Sequence, residues 1–169
     1  VDILKKKDLD FKINKIKPDI VYHCATYGVQ NSQKLFNNMI NTNVIGTYNI
    51  LESLLKYNDV KKIINVGSSF EYEVTTDSFK ENNLSIPTTL YGISKNTQTN
   101  IAQYFSKFHN LPITTFRIHS AYGKYDTPGK LMADMMFALI NKTKMKLADK
   151  NEIRDFIFID DVIDALILG

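Results

Sequence analysis

The sequence predicts an α/β fold built on a doubly wound parallel sheet, and three observations carry that expectation. Short, apolar, β-branched segments alternate with long amphipathic ones. The amphipathic segments run to about 20 residues, long enough to cross over between parallel strands. The 169 residues, 44% hydrophobic and 23% charged, suffice for one core that buries about 70% of the surface exposed by the unfolded chain.

The elements follow in order. A short helix near residues 8–16 precedes Pro18, and the apolar run from Asp19 to Cys24 reads as a strand. From Gln33 to Tyr57, the residues Phe36, Ile40, Val44, Tyr48, Leu51 and Leu55 recur at steps of three or four, which paints an apolar stripe on a helix. Lys61 to Val66 reads as the second strand, ending in a Gly-Ser-Ser turn. A second long helix, from about Thr89 to His109, carries Ile93, Thr97, Ile101, Phe105 and Phe108 on its stripe. Pro112 introduces a strand over 113–118. The remainder reads as a helix over 128–141, short strands near 145–147 and over 154–159, and a closing helix from Asp160.

Composition excludes several classes. The net charge is +3, but the only arginines are Arg117 and Arg154 and the lysines are scattered, so no nucleic-acid footprint forms; Lys5-Lys6-Lys7 reads as a solvated face. Cys24 is the single cysteine, so no internal disulfide is possible. No apolar run approaches a membrane span and no signal peptide precedes the first helix, which points to the cytoplasm. No grouping of His, Cys and carboxylates has metal-ligand spacing, so no metal is expected. His23 reads as a satisfied strand-end histidine, His109 as a surface residue, Cys24 as a small buried hydrophobe, and the methionines at 132, 135, 136 and 145 as core filling.

In doubly wound sheets, ligands sit beyond the carboxyl ends of the strands. Here those places hold Ala25-Thr26 after Cys24, Gly67-Ser68-Ser69 after Val66, and His119-Ser120 after Ile118. The helix from Thr89 opens with Tyr91-Gly92-Ile93-Ser94-Lys95, which puts Tyr91 and Lys95 on one face. An ammonium beside a phenol favours the phenolate, and the pair then moves a proton near neutrality, with Ser68 holding the reacting alcohol or ketone. The spacing also occurs at Tyr57 and Lys61, but that pair joins a helix end to a strand start, away from the ligand face.

Six stretches in order resemble the extended short-chain dehydrogenase/reductases, the nucleotide-sugar epimerases, dehydratases and 4-ketoreductases. They are Pro18 to Ala25, Asn43 to Thr47, Val66 to Tyr72, Tyr91 to Lys95, Arg117 to Gly123 and Arg154 to Asp161. The resemblance implies a Rossmann-like fold with Ser68, Tyr91 and Lys95 as catalytic residues and NAD or NADP, with NAD favoured, as cofactor. It implies cofactor contacts from Asp2, Cys24, Ala25, Thr26, Asn43, Tyr91, Lys95, Ile118 and His119. It places Ser69, Ser120 and Arg154 toward a nucleotide-sugar substrate, with Arg154 clamping the diphosphate. The helices around 33–57 and 89–109 would form a homodimer. Ser69 and Phe70 stand where the family's 4,6-dehydratases carry an Asp and a Glu, which disfavours dehydration; Ser120 and Glu73 depart from the family's Asn and Gly.

The sequence contains no Gly-x-Gly-x-x-Gly loop to receive a pyrophosphate. The expectation is therefore a partial domain, residues 1–169, that lacks the N-terminal glycine-rich βαβ half, with about 124–153 beginning the substrate-binding part. The strand at 19–24 would then present an unpaired apolar edge and the chain would aggregate or dimerise. The parent is expected to be an epimerase or 4-ketoreductase. The alternative is a catalytically inactive module with a binding or dimerisation role.

Overall fold

A computed structural model describes residues 1–30, 32–73, 80–145 and 153–169. They form two compact units, Val1–Arg117 and Ile118–Gly169. The first unit opens with α1 (Lys6–Ile16), followed by the strand β1 (Ile20–His23). Next come α2 (Phe36–Met39), a π-helical stretch over Ile40–Ile45, and α3 (Gly46–Tyr57), running one into the next. The strand β2 (Lys62–Ser68) leads through a single 3-10 turn, Ser69–Glu71, toward α4 (Leu90–His109) and β3 (Ile113–Ile118). The sheet order is β1-β2-β3, and β1 pairs β2 in parallel with Ile20 opposite Lys62 and His23 opposite Asn65.

Both long helices stop where the sequence suggests. The C-caps of α3 and α4 are Asn58 and Asn110, in the left-handed conformation at φ 55° and 56°, which asparagine tolerates better than most residues. The core of this unit joins Leu9 and Ile13 of α1, Ile50, Leu51 and Leu54 of α3, Ile63 of β2, and Ala102 and Phe105 of α4. Lys6 also ties α1 to α3 through Ser53 and Glu52, and the Ser53 hydroxyl donates to Asp10.

The buried faces differ from the expected stripes. On the α2–α3 segment the inward positions are Met39, Asn43, Thr47, Ile50, Leu51 and Leu54, while Phe36, Ile45 and Tyr48 are exposed. On α4 the inward positions are Gly92, Ser94, Lys95, Gln98, Thr99, Ala102 and Phe105; Ile93 and Phe108 face outward. Polar side chains displace apolar ones there because Lys95 and Gln98 find partners on β2 and Asn43 finds them on the loop after β1 and on Ser94, which offsets the desolvation cost that periodicity counting assumes.

The second unit contains β4 (Ser120–Tyr122), α5 (Leu131–Asn141), β5 (Phe156–Phe158) and α6 (Ile159–Leu168). β4 and β5 pair in parallel, Ser120 opposite Phe156 and Tyr122 opposite Phe158. The strand β4 is an addition to the sequence reading, since three residues are too few to show a period of two. The expected strand near 145–147 lies, from residue 146 on, outside the described residues. Met135 and Met136 are exposed rather than core filling, and α5 has no buried residue. Among the described residues no helix is long and apolar enough to cross a membrane.

Candidate active site

Ser68, the last residue of β2, caps the turn that follows it. Its Oγ accepts from Phe70 N at 3.3 Å, and Glu71 Oε1 accepts from Ser68 N at 2.8 Å. This reciprocal capping box fixes the serine backbone at the strand's end. Glu71 is fully buried, and its other oxygen accepts from Arg117 Nε at 2.8 Å; Arg117 Nη1 donates to the Tyr72 hydroxyl at 3.0 Å. Gly67 makes room for the bend, because a Cβ there would sit 2.6 Å from Glu71 Oε1 and 3.2 Å from Phe116 O.

Tyr91 lies in the first turn of α4, whose N-cap Thr89 accepts from Gly92 N through Oγ1 at 3.0 Å. Thr26 and Ser68 stand beside the Tyr91 phenol, and Phe70 meets its ring edge-on at 5.8 Å. Gly28, at φ +109°, passes so close that a Cβ would come within 2.8 Å of the ring. Ser68, Tyr91 and Thr26 are therefore brought together.

The electrostatics depart from the expectation. Lys95 Nζ donates to Val66 O at 2.6 Å and to Gln98 Oε1 at 2.6 Å. Burial pulls the ammonium down to about 8, against the opposing pull of Glu71 and Cys24. The Tyr91 phenol is raised above its ordinary value, first by burial and also by the Glu71 charge, with Thr26 and Ser68 working the other way. Lys95 spends its bonds on the strand end and on Gln98, so the expected depression of the phenol is absent. Near neutrality Tyr91 is a protonated acid.

Asn43, placed by the π-helical stretch, is completely buried. Its Oδ1 accepts from Tyr27 N at 2.8 Å and Thr26 Oγ1 at 3.2 Å, and its Nδ2 donates to Tyr27 O and Ser94 Oγ, both at 2.9 Å. The expected cofactor contact is thus a brace behind the loop that carries Thr26. Cys24 and Ala25 are exposed at the carboxyl end of β1, which corrects the reading of Cys24 as a buried hydrophobe. Asp2 is exposed and accepts from Leu4 N at 3.0 Å. Ser69 opens the 3-10 turn.

Ile118, His119, Ser120 and Arg154 belong to the second unit. There His119 Nδ1 stands 3.7 Å from Asp155 Oδ2, Ser120 N donates to Asp155 O at 3.0 Å, and the neighbouring Arg154 is exposed. Glu71, Arg117, Asn65 and Gln98 were not among the candidate residues. Ser68-x-x-Glu71 is a capping-box pattern, and Gln98 follows Lys95 at helical spacing; both signals stand in the sequence.

The model of the NAD dependent epimerase/dehydratase family matches residues 1–168. A putative UDP-glucose 4-epimerase of Methanocaldococcus jannaschii is 29% identical over 175 residues, covering 98% of this chain and 56% of the relative. A dTDP-glucose 4,6-dehydratase of Neisseria meningitidis is 28% identical, covering 98% of this chain and 50% of the relative. Among solved structures, the UDP-glucuronic acid 4-epimerase of Bacillus cereus in complex with UDP-glucuronic acid and NAD superposes with a TM-score of 0.86 at 27% identity, covering 99% of this chain and 53% of that one. The chain spans about half the length of the curated relatives it matches. It belongs to the NAD-dependent epimerase/dehydratase family.

Proposed function

We propose that this chain carries the acid-base centre of a nucleotide-sugar epimerase or 4-ketoreductase that uses NAD in preference to NADP. The observation that carries the reading is the seating of the first turn of α4 against the turn after Ser68, with Tyr91 edge-on to Phe70 at 5.8 Å and the buried Lys95 on Val66 O at 2.6 Å.

The residues at the strand ends suit the nicotinamide-ribose part of a dinucleotide. Cys24 and Ala25 are small and exposed, so a flat ligand can approach the backbone of β1. Thr26, Ser68 and Lys95 supply hydroxyls and an ammonium of the kind a ribose and a sugar carbonyl bind. Bound there, NAD supplies reversible hydride exchange with a sugar carbon. Ser68 Oγ and Tyr91 OH orient the sugar oxygen, and Tyr91 gives its proton to that oxygen as negative charge develops. The reverse step needs the phenolate, which the neighbouring Thr26 and Ser68 side chains favour. Lys95, charged below about pH 8, is assigned to the ribose hydroxyls of the dinucleotide. Arg154, Ser120 and His119 of the second unit are assigned to the sugar nucleotide and the nicotinamide side. Ser69 and Phe70 supply no second acid-base pair, which argues against dehydration.

The exposed faces of α3 and α4 are assigned to a homodimer. Tyr48 packs edge-on against Phe105 at 5.9 Å, and Tyr104 lies 5.2 Å from Phe108, forming one apolar surface across both helices.

The test is Tyr91→Phe in the full-length protein. Removing a positioned proton donor costs on the order of 10²–10⁴ in turnover, with nucleotide-sugar binding retained. Turnover close to the unmutated rate would overturn the assignment.

A further inference from the structure

Behind Lys95 runs a chain of buried amides that helix-on-sheet packing does not require. Where α4 crosses β2, Gln98 and Asn65 meet at 0% and 1% exposure. Gln98 Nε2 donates to Asn65 Oδ1 at 2.7 Å and lies 3.3 Å from Val66 O. Asn65 Nδ2 in turn donates to Thr115 Oγ1 on β3 at 3.2 Å. These bonds decide which way the Gln98 amide faces and turn its Oε1 toward Lys95, where it accepts from Nζ at 2.6 Å.

An ammonium has three N–H donors in tetrahedral array. Lys95 commits one to Gln98 and one to Val66 O, so the direction of the third is set by those two. Replacing both partners of a buried polar pair by apolar groups of similar shape is close to neutral for stability. Stability therefore gives no reason for the amide chain to end on Lys95, whereas orientation does.

We propose that Gln98 is a positioning residue for Lys95, aligned through Asn65 and Thr115, and that this relay fixes the direction in which the ammonium meets the reacting molecule. The proposal rests on the acid-base reading of Tyr91 and Lys95 given above. The other titratable groups facing Lys95 are Glu71 after β2 and His23 and Cys24 at the end of β1, with Tyr91 on its own helix.

The test compares Gln98→Met, which keeps the length and removes the acceptor, with Gln98→Glu, which keeps the acceptor and lets Asn65 turn its amide to donate. Both are made in the full-length protein, beside Tyr91→Phe. Turnover is measured, and the Lys95 titration is followed by NMR of ε-carbon-labelled lysine, assigned with Lys95→Arg. Gln98→Met is expected to lower kcat on the order of 10- to 100-fold, the scale of a misplaced reacting group, with KM little changed and the Lys95 midpoint moved below about 8. Gln98→Glu is expected to keep most of kcat and move the midpoint up. Gln98→Met with unchanged kcat and midpoint overturns the proposal. If that variant does not fold, a Gln98→Glu midpoint that fails to rise overturns it. Activity surviving in Tyr91→Phe removes the underlying reading and the proposal with it; an inactive Tyr91→Phe beside unaltered Gln98 variants removes the positioning role alone.

Discussion

His23 lies buried at the end of β1, its Nε2 2.7 Å from Thr47 Oγ1. The Thr47 hydroxyl donates to Asn43 O at 2.7 Å, so it accepts from His23, and the neutral ring carries its proton on Nε2. Burial, reinforced by the positive charge of Lys95, pulls the imidazole from 6.5 down to about 4. The unfolded chain then takes up the proton before the folded one does. The stability tied to this group is complete above pH 6.5 and is lost as pH falls toward about 4. By pH 5 the loss comes to about 2 kcal/mol, since each unit of separation is worth about 1.4 kcal/mol. Urea unfolding at pH 7 and pH 5 checks this. The unmutated chain should lose that amount more than His23→Gln, and equal losses in the two proteins would show that the histidine is not the proton acceptor.

At the scale of elements, α4 is placed by a backbone contact that no side-chain pattern announces. A Cβ on Gly92 would sit 2.2 Å from Phe70 O and 3.1 Å from Pro87 Cβ, so the first turn of α4 lies directly against the turn after Ser68. Only glycine allows that approach, and it is what brings Tyr91 to Ser68. Gly92→Ala is expected to destabilise the fold by about 1–3 kcal/mol, the usual cost of overpacking. It should also lower turnover in the full-length protein by moving Tyr91, a change that thermal unfolding and kinetics measured on one sample would reveal; an unchanged Tm would refute the contact. The strands at 20–23, 62–68 and 113–118 were legible because β-branched runs bounded by Pro18 and Pro112 have few other readings. That Tyr91 and Lys95 share one helix was legible because α-helical spacing is rigid. Helix faces were not legible, because Asn43, Thr47, Lys95 and Gln98 point inward to partners on other elements, and a period computed from hydrophobicity cannot see a partner. The state of Tyr91 was missed for the same reason: Gln98 and Val66 O, rather than the phenol, take the Lys95 hydrogen bonds.

At the scale of the molecule, two apolar surfaces of the first unit differ in kind and predict different modes of association. Among the described residues the order β1-β2-β3 leaves one edge of β1 without a strand partner, beside an apolar cleft lined by Ile3, Ile13, Val21, Tyr22, Cys24 and Ala25. Ile20 and Tyr22 on that strand are each nearly half exposed. An edge of this kind is a template for open-ended pairing. The helix surface of Tyr48, Tyr104 and Phe108 is instead a side-chain surface that a second copy would cover by two-fold symmetry, which closes after one step. The 169-residue chain is therefore expected to self-associate, giving a discrete dimer through the helices and slower, concentration-dependent growth through β1. Light scattering after size exclusion separates the two. Phe108→Lys should abolish the discrete dimer while growth persists, and Tyr22→Lys, a charge beside the open edge, should suppress growth while the dimer persists. A soluble monomer at high concentration would show that neither surface drives association. A dimer lost in Tyr22→Lys and kept in Phe108→Lys would reassign the contact from the helices to the sheet edge.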